Sequence, residues 1–130
     1  MVIDTSAILA MLLHEPEWRA IALAIEADPV RFISAASIFE ASVVASSRLG
    51  KAGLDELDLL LGKLTVEMSP FGVRDLQCAR EAYFKYGKGR HPAALNFGDC
   101  FSYALATLRG EPLLFKGNDF SQTDLRRVVY

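Results

Sequence analysis

Four acidic residues, far apart in the chain, stand where a parallel sheet would bring them together. Asp4 directly follows a short apolar run, and Asp119 follows the apolar stretch 113–115. Glu40 and Asp99 each lie near the start of a predicted helix. Because ligands bind beyond the carboxyl ends of the strands in such sheets, we expect all four carboxylates at one edge of the sheet.

Such a cluster of acids is unfavourable unless its charge is compensated. Two carboxylates about 5 Å apart, at an effective dielectric constant near 20, repel by roughly 3 kcal/mol. Several such pairs rival the whole stability of a domain, about 5 to 15 kcal/mol. The cluster must therefore bind a cation or take up protons. Carboxylate oxygens suit Mg²⁺ or Mn²⁺, and a partly hydrated ion of this kind can activate a water for phosphodiester hydrolysis.

Each acid also has a purely structural explanation. Asp4 could cap the helix that follows it, and Asp119 could be an ordinary turn residue. Glu40 and Asp99 have capping-box spacing, because each stands three residues after a capping residue type, Ser37 and Asn96 respectively. Four elements that all place an acid at the same edge nevertheless favour a shared site.

Neighbouring polar residues could support these acids. Thr5 and Ser6 could donate hydrogen bonds to Asp4 or to a metal-bound water, although helix capping explains them equally well. Asn118, beside Asp119, is open to the same two interpretations.

The predicted elements alternate between short apolar strands and amphipathic helices. Strands are predicted at 2–3, 31–34, 65–68, 112–115 and 127–129, and helices at 5–13, 16–27, 37–49, 54–63, 73–86 and 97–108. In the last helix, the spacing predicts one buried stripe that includes Phe97, Phe101 and Leu108. This alternation indicates an α/β fold with a mainly parallel sheet covered by helices on both faces.

The 130-residue chain predicts a single domain over 1–130, since its length allows one core and is short for two. The composition, with 52% hydrophobic and 23% charged residues, excludes disorder as a major component of the chain. We expect a cytoplasmic protein, because no segment has the pattern of a spanning helix or secretory signal. Cys78 and Cys100 lack zinc-site spacing and are expected to be reduced thiols.

A net charge of -2 gives no global attraction to nucleic acid, so a polyanionic substrate would need a local patch or a metal. Arg90, Lys116 and Lys88 are the preferred candidates for phosphate contact, with Lys85 and His91 nearby. Tyr86 could stack on a base. The alternative for this region is a solvated, mobile loop.

The motifs "VIDTSA", "FEA", "GRHPAALNFGDCFSYALA" and "LLFKGNDF" together make the chain resemble the PIN-domain family, specifically the VapC-type toxin ribonucleases of bacterial toxin-antitoxin pairs. The resemblance covers the whole chain and implies a PIN-like three-layer α/β/α sandwich. It further implies a metal-dependent endoribonuclease that leaves a 5′-phosphate and a 3′-hydroxyl, with its acids at Asp4, Glu40, Asp99 and Asp119. A homodimer and inhibition by a cognate VapB-type antitoxin are also implied.

Two further questions stay open from the residues. The leucine-rich helix "LDELDLLLGKL", with Trp18 and Ile25, could form a groove for an amphipathic antitoxin segment, although core packing also explains it. The acidic pocket could instead bind arginine side chains of a partner, which would make the protein a non-catalytic PIN-like binding module. A haloacid dehalogenase-type phosphatase would need a second aspartate where Ser6 stands.

Overall fold

Four short parallel strands form the sheet that carries the candidate site. The computed structural model describes residues 1–130, with β1 at Val2–Ile3, β2 at Phe32–Ser34, β3 at Glu67–Ser69 and β4 at Leu113–Leu114. Their order in the sheet is β3-β2-β1-β4. All three neighbouring pairs run parallel, and Val2 of β1 is in register with Phe32 on one side and with Leu113 on the other.

Adjacent residues of each strand face opposite layers of helices. Val2, Phe32 and Leu113 belong to one buried cluster, which they share with side chains of α4 (Val73–Tyr86) and α5 (Asp99–Arg109). The next residue of each strand belongs to a second cluster, packed against α1 (Thr5–Leu12), α2 (Trp18–Ala27) and α3 (Ala35–Leu64). This two-residue alternation is the property of a strand buried on both faces. The predicted α/β/α sandwich is confirmed.

The long helix α3 starts earlier than predicted and bends at one glycine. Ser34 is its N-cap, because the Ser34 side chain accepts a hydrogen bond from the backbone N–H of Ala36, so the predicted start at Ser37 was wrong. Gly50 has φ 66° and ψ −152°, a non-helical conformation at the predicted break. The range Ala35–Leu64 therefore consists of two helical segments that meet at Gly50, which confirms the predicted break at this residue.

The predicted closing strand at 127–129 does not form. Only an isolated bridge joins Arg127 to Leu113, and Val129 is 93% exposed. The apolar residues there predicted a strand, but β4 is only two residues long and offers too short an edge to extend the pairing.

Helix α5 begins two residues later than predicted. Phe97 therefore lies in the turn before the helix and is 78% exposed instead of continuing the buried stripe. Leu108, at the other end of that stripe, is also exposed, whereas Cys100 is buried. Cys78 and Cys100 are both free thiols, as predicted. None of the helices combines the length and apolar character needed to span a bilayer.

Candidate active site

The strand order creates a crevice between β1 and β4. From β1 the chain moves outward to β2 and β3, whereas β4 pairs with the opposite edge of β1. Such a switch point is where open α/β sheets bind their ligands. Asp4 directly follows β1, and its backbone N–H donates to the carbonyl of Leu114 in β4 at 2.9 Å. The loop after β4 leads to Asp119, so two of the four predicted acids flank this crevice.

Asp4 caps α1 and is also part of a hydrogen-bonded link to the loop after β4. Its Oδ2 accepts hydrogen bonds from the backbone N–H of Ser6 at 2.9 Å and from the Ser6 hydroxyl at 2.6 Å. The Ser6 hydroxyl oxygen in turn accepts from the backbone N–H of Lys116 at 2.9 Å. Helix capping therefore explains one oxygen of Asp4 and leaves Oδ1 without a protein donor.

Glu40 lies in the second turn of α3 and points back toward α1. The Thr5 hydroxyl donates to Glu40 Oε2 at 2.7 Å. Ser37 lies inside the helix and approaches Ser102 instead, so the capping-box explanation for Glu40 was wrong. Burial raises the pKa of Glu40, the hydrogen bond from Thr5 opposes this rise, and the negative charge of Asp4 adds to it.

Asp99 forms the capping pair that its spacing predicted. The backbone N–H of Asn96 donates to Asp99 Oδ2 at 2.7 Å, and the Asp99 N–H donates to Asn96 Oδ1 at 3.0 Å. Burial is the largest cause that raises the pKa of Asp99 to about 7, and the negative charges of Asp4, Asp119 and Glu40 contribute to the same rise. The hydrogen bond from the Asn96 backbone opposes it. The four acids are thus close enough to interact electrostatically.

Asp119 occupies the most exposed position of the four. It opens a short 3₁₀ helix, Asp119–Gln122, two residues after Gly117, whose φ of 102° turns the chain. Asn118 precedes it, with a side chain that makes no capping hydrogen bond. Asp119 therefore lies beside the crevice with both of its carboxylate oxygens free of protein donors.

Three of the acids share one pattern of hydrogen bonding. Asp4, Glu40 and Asp99 each place one oxygen on a nearby protein donor and leave the other without one. None of these free oxygens is sealed from solvent, because the only buried unpartnered side-chain oxygen belongs to Glu17. No lysine, arginine or histidine forms an ion pair with any of the four. The protein itself leaves this negative charge uncompensated.

This donor set is chemically suited to a hard divalent cation, since every free atom is a carboxylate oxygen. In the structure, no group of three such side chains already surrounds a single point closely enough to hold an ion. Binding would therefore require the carboxylates to close around the metal.

Of the basic side chains predicted to contact phosphate, some already form ion pairs with carboxylates and others do not. Lys116 lies 2.6 Å from a carboxylate oxygen of Glu15 and 3.5 Å from one of Glu17, so its ammonium is already paired. Lys85 is paired with Asp124 in the same way.

Lys88 and Arg90 remain exposed, and neither forms an ion pair with a carboxylate. The Arg90 guanidinium lies 5.2 Å from the ring centroid of Phe84. The suggested base stacking by Tyr86 was wrong, because that ring is 5% exposed and packs edge-on against His91.

The leucine-rich half of α3 is largely part of the core. Leu57 and Ile25 are each 1% exposed, so they cannot line a groove for a partner. Leu59 and Leu23, by contrast, are more than half exposed, at 64% and 67%. Any partner surface here is therefore narrower than the sequence suggested.

A large apolar groove, which the sequence pattern does not predict, lies between α4 and α5. It has a volume of about 1260 Å³, and its lining includes Phe71, Phe84, Phe97 and Phe101. Phe101 joins two of these rings, with centroids 4.9 Å from Phe71 and 4.8 Å from Phe97. The signal in the sequence is the pair Phe97 and Phe101 on either side of Asp99, which helical spacing assigns to a buried stripe. We call this feature the α4–α5 groove.

Comparison with known proteins agrees with this architecture. A model of the PIN domain family matches residues 1–125. Ribonuclease VapC30 of Mycobacterium tuberculosis is 50% identical over 129 residues, covering 99% of this chain and 98% of that protein. The chain belongs to the PIN-domain family and, within it, to the VapC group.

Two solved structures have the same fold at low sequence identity. VapC20 of M. tuberculosis, described as a Sarcin-Ricin loop cleaving toxin, aligns with a TM-score of 0.80 and 17% identity, covering 98% of this chain and 97% of that one. VapBC2 of Rickettsia felis, bound to a DNA fragment from its promoter, aligns with a TM-score of 0.74 and 14% identity, covering 98% and 96%.

Proposed function

We propose that this protein is a metal-dependent endoribonuclease toxin that hydrolyses RNA phosphodiester bonds. The observation that carries the proposal is the group of solvent-accessible carboxylate oxygens with no cationic partner at the sheet's switch point. Support comes from the 50% identity to a protein named as a ribonuclease, over nearly the full length of both.

In this proposal, Asp4, Glu40, Asp99 and Asp119 hold Mg²⁺ or Mn²⁺. A bound ion of this kind supplies an activated water and stabilises the charge that develops on the phosphate. Products with a 5′-phosphate and a 3′-hydroxyl are expected.

The chain's own polar groups would position these acids. Thr5, Ser6 and the Asn96 backbone each fix one oxygen of a different carboxylate, which leaves the other oxygen for the ion. Ser6 would position Asp4 and the loop after β4 together, because it bonds to both. Asn118 would act beside Asp119 through its free side chain.

RNA phosphates would be bound by Arg90 and Lys88, the two free cations of the loop before Asp99. Lysine and arginine contacts of this kind position a strand without selecting its bases. Lys116 could join them only after release from Glu15 and Glu17, so we expect it to contribute less.

We also propose that two copies of this chain associate through the α4–α5 groove. Phe84 and Phe97, on its lining, are 74% and 78% exposed. The lining carries Arg80 and Glu81, whose opposite charges can meet the partner's copies across a two-fold axis. It also carries Lys88 and Arg90, so this dimer would have to leave those two side chains open to RNA. Phe97→Ser should give a monomer by light scattering, and an unchanged mass would contradict this dimer.

A VapB-type antitoxin is the proposed inhibitor. One of the solved structures with this fold is a VapBC complex. The exposed Leu23 and Leu59 provide apolar contacts on α2 and α3 for an amphipathic segment of such a partner. We propose that the protein acts in the cytoplasm as one domain.

The test is RNA cleavage by the purified protein with Mg²⁺ or Mn²⁺, and with EDTA as the metal-free control. Mutation of a residue that only supports a metal ligand costs roughly 10–100-fold in metal affinity or activity. Asp4 and Asp99 are proposed as ligands themselves, so Asp4→Asn or Asp99→Asn should reduce the cleavage rate at least about a hundredfold. Asp58→Asn, at an exposed position of α3, is the matched control and should retain full activity.

The alternative is a non-catalytic module whose acidic pocket binds a partner's arginine side chains. It would be favoured if the parent protein neither cleaves RNA nor binds Mn²⁺ in a calorimetric titration near neutral pH. Cleavage of RNA by Asp99→Asn at the parent's rate would contradict the assigned site.

A further inference from the structure

We propose that Gly98 is a positioning residue for Glu40, because its missing side chain leaves the space in which the Glu40 carboxylate lies. A Cβ placed on Gly98 would overlap Oε1 and Cδ of Glu40 and would lie 2.5 Å from Oε2. The carboxylate therefore lies directly over the Gly98 backbone. Gly98 itself is buried.

Backbone conformation does not explain the glycine. Gly98 has φ −67° and ψ −42°, the ordinary right-handed helical region that every residue adopts readily. Gly50, by contrast, has φ 66°, a value that L-residues with side chains rarely adopt. At Gly98 the requirement is one of space alone, and the atoms that occupy the space belong to Glu40.

Three elements meet at this carboxylate. Thr5 of α1 fixes Oε2 from one side through its 2.7 Å hydrogen bond. Gly98, the N-cap of α5, bounds the other side. Because Gly98 immediately precedes Asp99, close approach of α3 to this glycine also brings Glu40 to Asp99. Any side chain at position 98 would hold the two acids apart.

The position of Glu40 can be tested without reference to activity. Crystal structures of the parent and of Gly98→Ala should differ at this side chain: the parent retains the hydrogen bond between Thr5 and Glu40, and the variant loses it as the carboxylate swings toward solvent. Because the displaced atoms are the end of a flexible side chain, the variant should remain folded, with a melting temperature close to the parent's. Retention of the Thr5–Glu40 bond in both structures would overturn the proposal.

The consequence for metal binding rests on the proposed function and is measured by Mn²⁺ titration. We expect Gly98→Ala to weaken Mn²⁺ binding about tenfold, which corresponds to about 1.4 kcal/mol. In a Glu40→Ala background, the same substitution should change the affinity no further, because the carboxylate that it displaces is already absent. Equal losses in both backgrounds would show that Gly98 acts independently of Glu40 and would overturn its positioning role.

Gly62→Ala is the matched control, since a Cβ at Gly62 meets no atom within 4 Å. This control should bind Mn²⁺ like the parent. The two proposals fail differently: a parent that binds Mn²⁺ without cleaving RNA refutes the ribonuclease assignment alone. A Gly98→Ala variant with parental Mn²⁺ affinity refutes the positioning role alone.

Discussion

The hydroxyl of Thr5 donates a 2.7 Å hydrogen bond to Oε2 of Glu40, which joins the first turn of α1 to α3. Thr5→Val keeps the branched shape but removes this donor. Hydrogen bonds to charged groups contribute about 1.5–3 kcal/mol, and because Glu40 is only half-buried we expect a loss near the lower end. Urea denaturation measures it, with Thr5→Ser as the control that retains the hydroxyl. Equal stability of the Val and Ser variants would contradict this role.

Ser6 connects Asp4 to the loop after β4, and Ser6→Ala should weaken both sides of that link. The substitution removes a 2.6 Å bond to Asp4 and leaves the Lys116 N–H without its acceptor. A part-buried donor left unpaired costs about 1–3 kcal/mol, which urea denaturation can measure. Ser46→Ala, at an exposed position of α3, serves as the control and should lie within about 0.5 kcal/mol of the parent.

The metal-free protein should become less stable as pH rises toward neutrality. The Asp99 pKa is about 7 in the folded protein, against an ordinary value of 3.8, chiefly because of burial. Below about pH 4 the Asp99 carboxyl is protonated in both the folded and the unfolded states. Its contribution to the free energy of unfolding is then at its maximum. Between about pH 4 and 7 only the unfolded chain releases the proton, and the contribution is lost as pH rises through the folded pKa.

The size of this effect is at most about 4 kcal/mol for Asp99 alone, and the raised pKa of Glu40 acts in the same direction. Urea denaturation in EDTA from about pH 4 to 8 measures it. Asp99→Asn should flatten the profile and be more stable than the parent near pH 8. A parent that gains stability over this range would show that the acids are not destabilising one another.

A divalent metal ion should restore the stability that the metal-free protein loses at neutral pH. A ligand at a hundred times its dissociation constant stabilises the folded state by about 2.7 kcal/mol when it does not bind the unfolded chain. Saturating Mn²⁺ should therefore raise the melting temperature of the parent and of Asp58→Asn. Asp4→Asn should lose most of this rise. Identical shifts in all three proteins would place the metal away from the acids.

The bend of α3 depends on Gly50, whose φ of 66° and ψ of −152° fall in a region essentially restricted to glycine. Gly50→Ala should destabilise the protein by about 1–3 kcal/mol, because the added side chain strains this conformation. In Gly62→Ala the same change occurs in open space within a helix and should stabilise by up to about 1 kcal/mol. Thermal unfolding of the two variants in parallel tests whether the bend is required.

Local sequence determined most of the framework. The apolar pairs of β1 and β4, the helical periodicity of α4, and the Asn96–Asp99 capping spacing all encode conformations set by neighbouring residues. The same information placed Asp4 at a strand end, which is why a shared acidic edge could be predicted. The strand predicted at 127–129 does not form, although its apolar side chains favour one. With only two residues, β4 is too short to pair with it beyond an isolated bridge.

Tertiary packing alone decided how the acids are held. Nothing local to Glu40 indicates that its carboxylate lies between Thr5 and the bare backbone of Gly98, because these residues are 35 and 58 positions away along the chain. Packing likewise pairs Lys116 with Glu15, although a lysine at this position was expected to contact phosphate. It also exposes Phe97, although a phenylalanine on the apolar stripe was expected to be buried. Residue type and spacing determine which groups are available for chemistry, whereas the distances between remote side chains depend on how whole helices and strands pack.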